Sequence, residues 1–180
     1  MSDWLRRDPR LFALPGLMNK TAVTVPMRLK SDDELLENID DGPWFSPSLD
    51  RIQIPDQGRF VVTPGGGSPE EAFESVFLHE CGHATATIPG CERDLSRAWY
   101  GGPIYAQEEV VAELTSQLVM RRLGKLSKVS PASVTYLLGW LSATFDEADA
   151  RTYAEHEARK AADYLCGLYF SVITTDRREV

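Results

Sequence analysis

The sequence predicts an α+β fold in which a small sheet packs against a long helix and further helices complete the domain. Segments rich in β-forming residues are confined to the first third of the chain, at Trp44–Phe45 and Arg51–Ile54. Segments with helix start and stop signals fill the rest. Strands followed by helices are typical of one α+β domain, and 180 residues are enough to enclose a sizeable core.

The first long helix has the clearest boundaries. Ser68 is a helix-capping residue, Pro69 suits the first helical position, and Glu71 follows the cap by three residues, as in a capping box. Pro89-Gly90 stops the helix, so we expect it to run to about Thr87. After a long loop at 88–106, further helices are predicted at about 106–123, 131–145 and 147–169.

Upstream of this helix the chain has fewer signals. Residues 1–30 contain an extended run at 21–25, and we expect them to form an N-terminal arm, with the domain itself at residues 31–180. Ser31 to Glu34 has the pattern of a capping box and predicts a short helix over about 32–39. Residues 59–63 are a further candidate strand.

Composition limits the partners and the location. The net charge of −8 argues against nucleic acid as an unaided partner, because nucleic acids are bound mainly through their phosphates. No run of about 18 apolar residues predicts a transmembrane helix, so we expect no membrane association. The N-terminus has no apolar signal-peptide region, and the three cysteines contain no Cys-x-x-Cys pair. We therefore expect free thiols and a cytoplasmic protein.

The segment His79-Glu80-Cys81-Gly82-His83 has the spacing of a metal site on the first long helix. Two histidines four residues apart share one face of a helix, and a catalytic zinc ion takes three protein ligands and a water molecule. Glu80 follows the first histidine and can act as the general base that takes a proton from that water. This is the metalloprotease motif His-Glu-x-x-His, and the alternative is a structural pair of histidines.

A third ligand is expected from the next predicted helix. Glu109 and Glu113 are four residues apart and share a face, whereas Glu108 points about 100° away. Glutamates placed one helix after His-Glu-x-x-His resemble the gluzincin arrangement. The resemblance implies that Glu109 is the ligand and that Glu113 orients a ligand histidine through its free N–H. The alternative is a charged, solvent-exposed helix face.

A transition-state oxyanion needs a hydrogen-bond donor, and the sequence offers three tyrosines. Tyr100, Tyr105 and Tyr136 are the candidates, and the sequence does not choose among them. Each is more often a core or interface residue than a catalytic one. His156, the remaining histidine, lies among charged residues of a predicted helix and is predicted to be a surface residue.

Several motifs, in order along the chain, resemble one family. They are Phe45–Pro55, Phe77–Thr85, Tyr105–Leu114, Tyr136–Leu141 and Lys160–Leu165. These segments are similar to the C-terminal zincin-like domain of ArdC antirestriction proteins and TraC-type plasmid primases, over roughly residues 31–168. The resemblance implies a zincin-like metallopeptidase fold, a bound zinc ion and a protein or peptide substrate.

The resemblance also implies phage, plasmid or other mobile-element biology, linked to antirestriction or to evasion of host defences. The leading hypothesis is a zinc metallopeptidase that hydrolyses a peptide bond in a protein target. The alternative is a non-catalytic, zinc-stabilised inhibitor that binds a host defence factor, although such a scaffold needs no general base at Glu80. The substrate, the cleavage site and the oligomeric state stay open.

The chain departs from the family pattern in three places. It shows no counterpart of the N-terminal single-strand DNA-binding domain that such proteins carry, so we expect no appreciable DNA binding by this chain alone. Residues 56–67 resemble an insertion, and loop 88–106 matches the family only in part. Within the shared part, the strand at Arg51–Ile54 is expected to line the cleft and to pair with an extended substrate, as edge strands do.

Overall fold

The computed structural model of the protein describes residues 21–25, 42–47, 51–55, 60, 67–125 and 129–176. These residues form three short strands followed by four α-helices. The strands are β1 (Thr21–Val25), β2 (Trp44–Ser46) and β3 (Arg51–Pro55). The helices are α1 (Pro69–Ala84), α2 (Pro103–Arg122), α3 (Pro131–Leu141) and α4 (Glu147–Asp176), and a 3₁₀ turn at Thr85–Thr87 extends α1. The described part of the chain is therefore mostly helical.

The three strands form a sheet in the order β1-β3-β2. β1 runs parallel to β3, and β2 runs antiparallel to it. β3 is therefore the central strand, and the expectation that it pairs with a substrate as an edge strand is wrong, because β1 and β2 occupy both of its sides. β1 lies within the segment predicted to be an N-terminal arm and is hydrogen-bonded into this sheet.

The core lies between the sheet and the helices. Ile52 and Ile54 are two residues apart on β3, so their buried side chains share one face of the sheet. They belong to the same hydrophobic cluster as Phe73 and Phe77 of α1 and Leu165 of α4. α2 packs against both α1 and α4. The sheet and α4 therefore pack against α1 and α2 and hold the two helices in place.

The predicted helices are present with shifted boundaries. α2 begins at Pro103 rather than near 106, because proline fits the first helical position. α3 ends at Leu141, earlier than predicted, and α4 continues to Asp176, later than predicted. The predicted helix at 32–39 lies outside the described residues, and so does the candidate strand at 59–63 apart from Phe60. None of the helices that the structure describes is long and apolar enough to cross a membrane.

Candidate metal centre

Gly82 sets the distance between α1 and α2. A β-carbon at this position would lie 3.0 Å from Ala112 Cα and 3.3 Å from Thr115 Cβ, both on α2. Contacts this short are tighter than ordinary van der Waals packing, so only glycine lets the two backbones approach to this distance. The close approach brings the histidines of α1 within reach of the glutamates of α2.

His79, His83 and Glu109 form a cluster that could hold a metal ion. His79 Nε2 lies 3.4 Å from Glu109 Oε2, and His83 Nε2 lies 3.5 Å from Glu109 Oε1. Two ligand atoms of one tetrahedral zinc ion, each about 2.1 Å from the metal, lie roughly 3.4 Å apart. Two imidazole nitrogens and a carboxylate are also a donor set that zinc prefers. The residues present therefore fit a zinc ion.

The other ring nitrogen of each histidine meets its own carboxylate. His79 Nδ1 lies 3.3 Å from Glu113 Oε2, and His83 Nδ1 lies 3.1 Å from Glu108 Oε1. An ionised carboxylate only accepts hydrogen bonds, so each Nδ1 carries a proton and donates it. Both rings are therefore fixed with Nε2 turned toward Glu109.

The role of Glu108 corrects the sequence prediction, in which this side chain points away from the site. Glu108 does lie on a different face of α2 from Glu109, but the C-terminal end of α1 lies against that face, and the carboxylate meets His83 there. Glu108 also accepts two hydrogen bonds from Arg93, a loop residue that the sequence did not single out for this site. The sequence contains one signal for this role. Two ligand histidines need two acceptors for their Nδ1 protons, and Glu113 supplies only one of them.

Glu80 is a buried carboxylate on the wall of the same cavity as the two histidines. Burial raises the pKa of its carboxyl group, and the neighbouring histidines offset this only in part. A raised pKa makes the carboxylate a stronger base. Glu80 therefore lies beside the histidines with an increased affinity for a proton.

The protonation of the cluster follows from its hydrogen bonds. Burial lowers the pKa of His83, but hydrogen bonds to Glu108 and Glu109 outweigh burial and raise it to about 10. The same balance raises the pKa of His79. Burial raises the pKa of Glu109, but hydrogen bonds from both histidines outweigh it and hold the pKa well below its usual range. The hydrogen bonds within the cluster therefore favour the protonated form of both histidines and the ionised form of Glu109.

The three candidate tyrosines lie at different places. The Tyr136 hydroxyl donates to Glu109 Oε2, and its ring lies 5.9 Å from that of His79. Tyr105 also lines the cavity, and its ring packs against Tyr100 at 5.2 Å. Tyr100 is 80% exposed and lies outside the cavity lining. The structure thus brings two of the three tyrosines to the cluster.

The cluster opens onto a cavity of about 850 Å³. Trp44 and Phe45 of β2 line it, together with Leu95 and Ala98 of the loop between α1 and α2. The strand beside the cavity is therefore β2, and the sequence had placed β3 there. Most of this wall is apolar, and the charged groups other than Glu71 lie at the metal cluster, as in many ligand sites.

The fold and the cluster define a domain in which two histidines on one helix and a glutamate on the next could hold a metal ion. The chain belongs to the zincin-like metallopeptidase family, whose family model matches residues 30–156. It is 31% identical to the uncharacterized protein y4eC of Sinorhizobium fredii over 122 residues, which are 68% of this chain and 37% of that protein. The family resemblance found in the sequence is confirmed.

Two DNA primases TraC of Escherichia coli are also similar to this chain. One is 30% identical and the other 28%, over 125 residues in each case, which are 69% of this chain. The matched segment covers 8% of the first primase and 11% of the second. The chain thus spans only a small part of the length of these primases and about a third of the rhizobial relative. No solved structure gives a significant match.

Proposed function

We propose that the protein is a zinc-dependent metallopeptidase that hydrolyses a peptide bond in a protein target. The observation that carries the proposal is the convergence of His79 Nε2 and His83 Nε2 on one carboxylate, Glu109, on the wall of a cavity that also contains the buried Glu80. Membership of the zincin-like metallopeptidase family supports the same reaction.

Each residue then has a separate task. His79, His83 and Glu109 would hold a zinc ion, while Glu113 and Glu108 orient the histidines through their Nδ1 protons. When bound there, zinc would supply a Lewis acid for the substrate carbonyl and for a water molecule.

Glu80 moves the proton. Its carboxylate takes a proton from the attacking water and delivers it to the nitrogen of the leaving amine. The raised pKa of Glu80 favours the first transfer, because burial stabilises the protonated form of the carboxyl group.

Tyr136 is the better candidate for oxyanion stabilisation. Burial, and then the charge of Glu109, raise the pKa of Tyr136, so its hydroxyl keeps its proton at neutral pH and can donate it to an oxyanion once it turns away from Glu109. Tyr105 lies on the same cavity wall and is the second candidate, whereas Tyr100 is directed to solvent.

The target is proposed to be a protein that a mobile element meets in the cytoplasm of its host, with a role in antirestriction or host-defence evasion. Support comes from the similarity to two proteins named DNA primase TraC and from the resemblance to ArdC antirestriction proteins. The apolar wall that Trp44 and Phe45 contribute to the cavity suits the side chains of a polypeptide substrate.

The test compares Glu80→Gln with the wild type in cells, by mass spectrometry of newly formed protein N-termini. Glu74→Gln is the matched control, because Glu74 lies on the same helix and pairs with Lys125 rather than with the site. We expect new N-termini with the wild type and with Glu74→Gln, and none with Glu80→Gln. If a folded, zinc-loaded Glu80→Gln protein keeps the full biological effect, the peptidase hypothesis is wrong and the non-catalytic inhibitor takes its place.

A further inference from the structure

We propose that Arg93 is a positioning residue of the metal centre, which fixes the carboxylate of Glu108 and, through it, the ring of His83. The inference rests on the metal centre proposed above. It concerns a loop residue that does not itself line the cavity and whose hydrogen bonds go to none of the three candidate ligands.

The contacts of Arg93 use every donor of its guanidinium group. Nε donates to Glu108 Oε2 at 2.7 Å, and Nη2 donates to Glu108 Oε1 at 2.7 Å and to Gly82 O at 2.8 Å. Nη1 donates to Thr85 Oγ1 at 3.0 Å and to Cys91 O at 3.2 Å. An arginine has five N–H donors, and all five have partners here. No donor is left for a substrate, so the task of Arg93 is to hold other groups.

Burial makes this arrangement rigid. The Arg93 side chain is 1% exposed and that of Glu108 is 5% exposed. A two-pronged arginine–carboxylate pair fixes both the position and the plane of the carboxylate, and charge-assisted hydrogen bonds are about twice as strong as neutral ones. Water cannot replace a missing prong at such a site, so a change at Arg93 is transmitted to Glu108.

Glu108 passes this constraint to the metal centre. Its Oε1 accepts from Arg93 Nη2 and also faces His83 Nδ1, at 3.1 Å. The position of this one oxygen therefore sets the rotation of the His83 ring and the direction of Nε2. Groups that hold a ligand histidine in this way typically change metal affinity 10–100-fold when they are altered.

The second histidine has a weaker support of the same kind. Glu113, which faces His79 Nδ1, accepts hydrogen bonds from two neutral groups, the amide of Gln117 at 3.0 Å and the hydroxyl of Ser133. The arginine fork is therefore specific to His83. Arg93 also binds Gly82 O and Thr85 at the C-terminal end of α1, so a purely structural role in capping that helix has to be separated by experiment.

The experiment measures the zinc dissociation constant of the folded, full-length protein by competition with a chromophoric chelator, together with thermal unfolding. Arg93→Lys keeps the positive charge but loses the two-pronged contact. The matched control is Arg122→Lys, because Arg122 forms an ion pair with Asp163 at the surface. We expect about 10–100-fold weaker zinc binding by Arg93→Lys and no change in Arg122→Lys.

A double-variant cycle separates positioning from structure. If Arg93 acts through Glu108, then Glu108→Gln weakens zinc binding by itself, and adding Arg93→Lys to it causes no further loss. Independent, additive losses overturn the proposal. A lower unfolding temperature of Arg93→Lys with an unchanged zinc dissociation constant also overturns it, because only the structural role then remains.

Two further outcomes of the zinc-binding experiment each have one interpretation. If neither Arg93→Lys nor Arg93→Gln folds even with zinc, Arg93 belongs to the fold, and the proposal is overturned. If the wild type itself binds no zinc, the proposed function fails together with this inference. If the wild type binds zinc and Arg93→Lys binds it equally tightly, only the inference is refuted. The test of Glu80→Gln is unaffected, because it measures proteolysis.

Discussion

Alanine at position 82 is expected to separate the two helices of the metal centre. A β-carbon on residue 82 would lie 3.0 Å from Ala112 Cα, and ordinary contacts begin at 3.4 Å, so α1 has to move by about 0.4 Å relative to α2. The obstructing atom is backbone and cannot rotate away. The same movement withdraws His79 and His83 from Glu109, which now lies 3.4 and 3.5 Å from them.

The magnitude follows from two opposing terms. Replacing glycine by alanine within a helix stabilises it by about 1 kcal/mol, because alanine loses less backbone entropy on folding. Overpacking costs about 1–3 kcal/mol. Gly82→Ala is therefore expected to lower the free energy of unfolding by at most about 2 kcal/mol, which lowers Tm by up to roughly 8 °C for a chain of this size. It also weakens zinc binding.

Gly167→Ala is the matched control. Gly167 lies within α4, and a β-carbon there meets nothing within 4 Å. The helix-propensity gain is then unopposed, and we expect Tm to rise by about 2–4 °C. Calorimetry of both metal-free variants and a chelator competition for zinc provide the comparison. An equal rise in Tm for Gly82→Ala, with wild-type zinc affinity, would refute the close-packing argument.

Three other predictions address the metal and the partners. Glu109→Ala is expected to abolish zinc binding, and Glu113→Ala to weaken it by about 10–100-fold, as measured by elemental analysis and chelator competition; reversed phenotypes contradict the assigned roles. Since the pKa of His83 is raised from 6.5 to about 10, its protonation stabilises the metal-free protein fully below pH 6.5, and this contribution is lost as pH rises toward 10. Zinc affinity, which needs neutral imidazole, should rise over the same interval, with proton release detectable by calorimetry in buffers of different ionisation enthalpy. Because the net charge is −8, a labelled single-stranded oligonucleotide at about 0.15 M salt should show no saturable, salt-sensitive anisotropy change.

Local signals predicted the start of α1 correctly. Ser68 Oγ accepts from Glu71 N, and Glu71 Oε2 accepts from Ser68 N, so the predicted capping box is confirmed. The exposed position of His156, whose side chain is 72% exposed, is confirmed as well. Both features depend on residues within one helical turn, and a sequence window contains all the partners involved.

Features that depend on packing between distant segments were predicted less well. β3 was expected at the edge beside the cleft, yet its own residues, Arg51–Pro55, do not reveal that β1 and β2 pair with both of its sides. The sequence predicts that α3 ends near residue 145, but the helix ends at Leu141 and Ser142 is its C-cap residue. Apolar periodicity continues through such turns, so it does not mark the end of a helix.

The same distinction separates the two layers of the metal centre. The cluster of His79 and His83 follows from a spacing of four residues, which a single helix converts into a shared face. The carboxylate that holds His83 lies 25 residues further along the chain, and the arginine that holds this carboxylate lies 15 residues before it, in the loop between α1 and α2. Neither position has a periodic relation to the motif, so its role arises only when α1 and the following loop pack against α2. A buried hydrogen-bond requirement does survive in the sequence, because every ligand histidine needs an acceptor for its second nitrogen. Each ligand histidine has to be matched with an acceptor, and each buried carboxylate acceptor with a cation. In this sequence, these two requirements direct attention to Glu108 and Arg93.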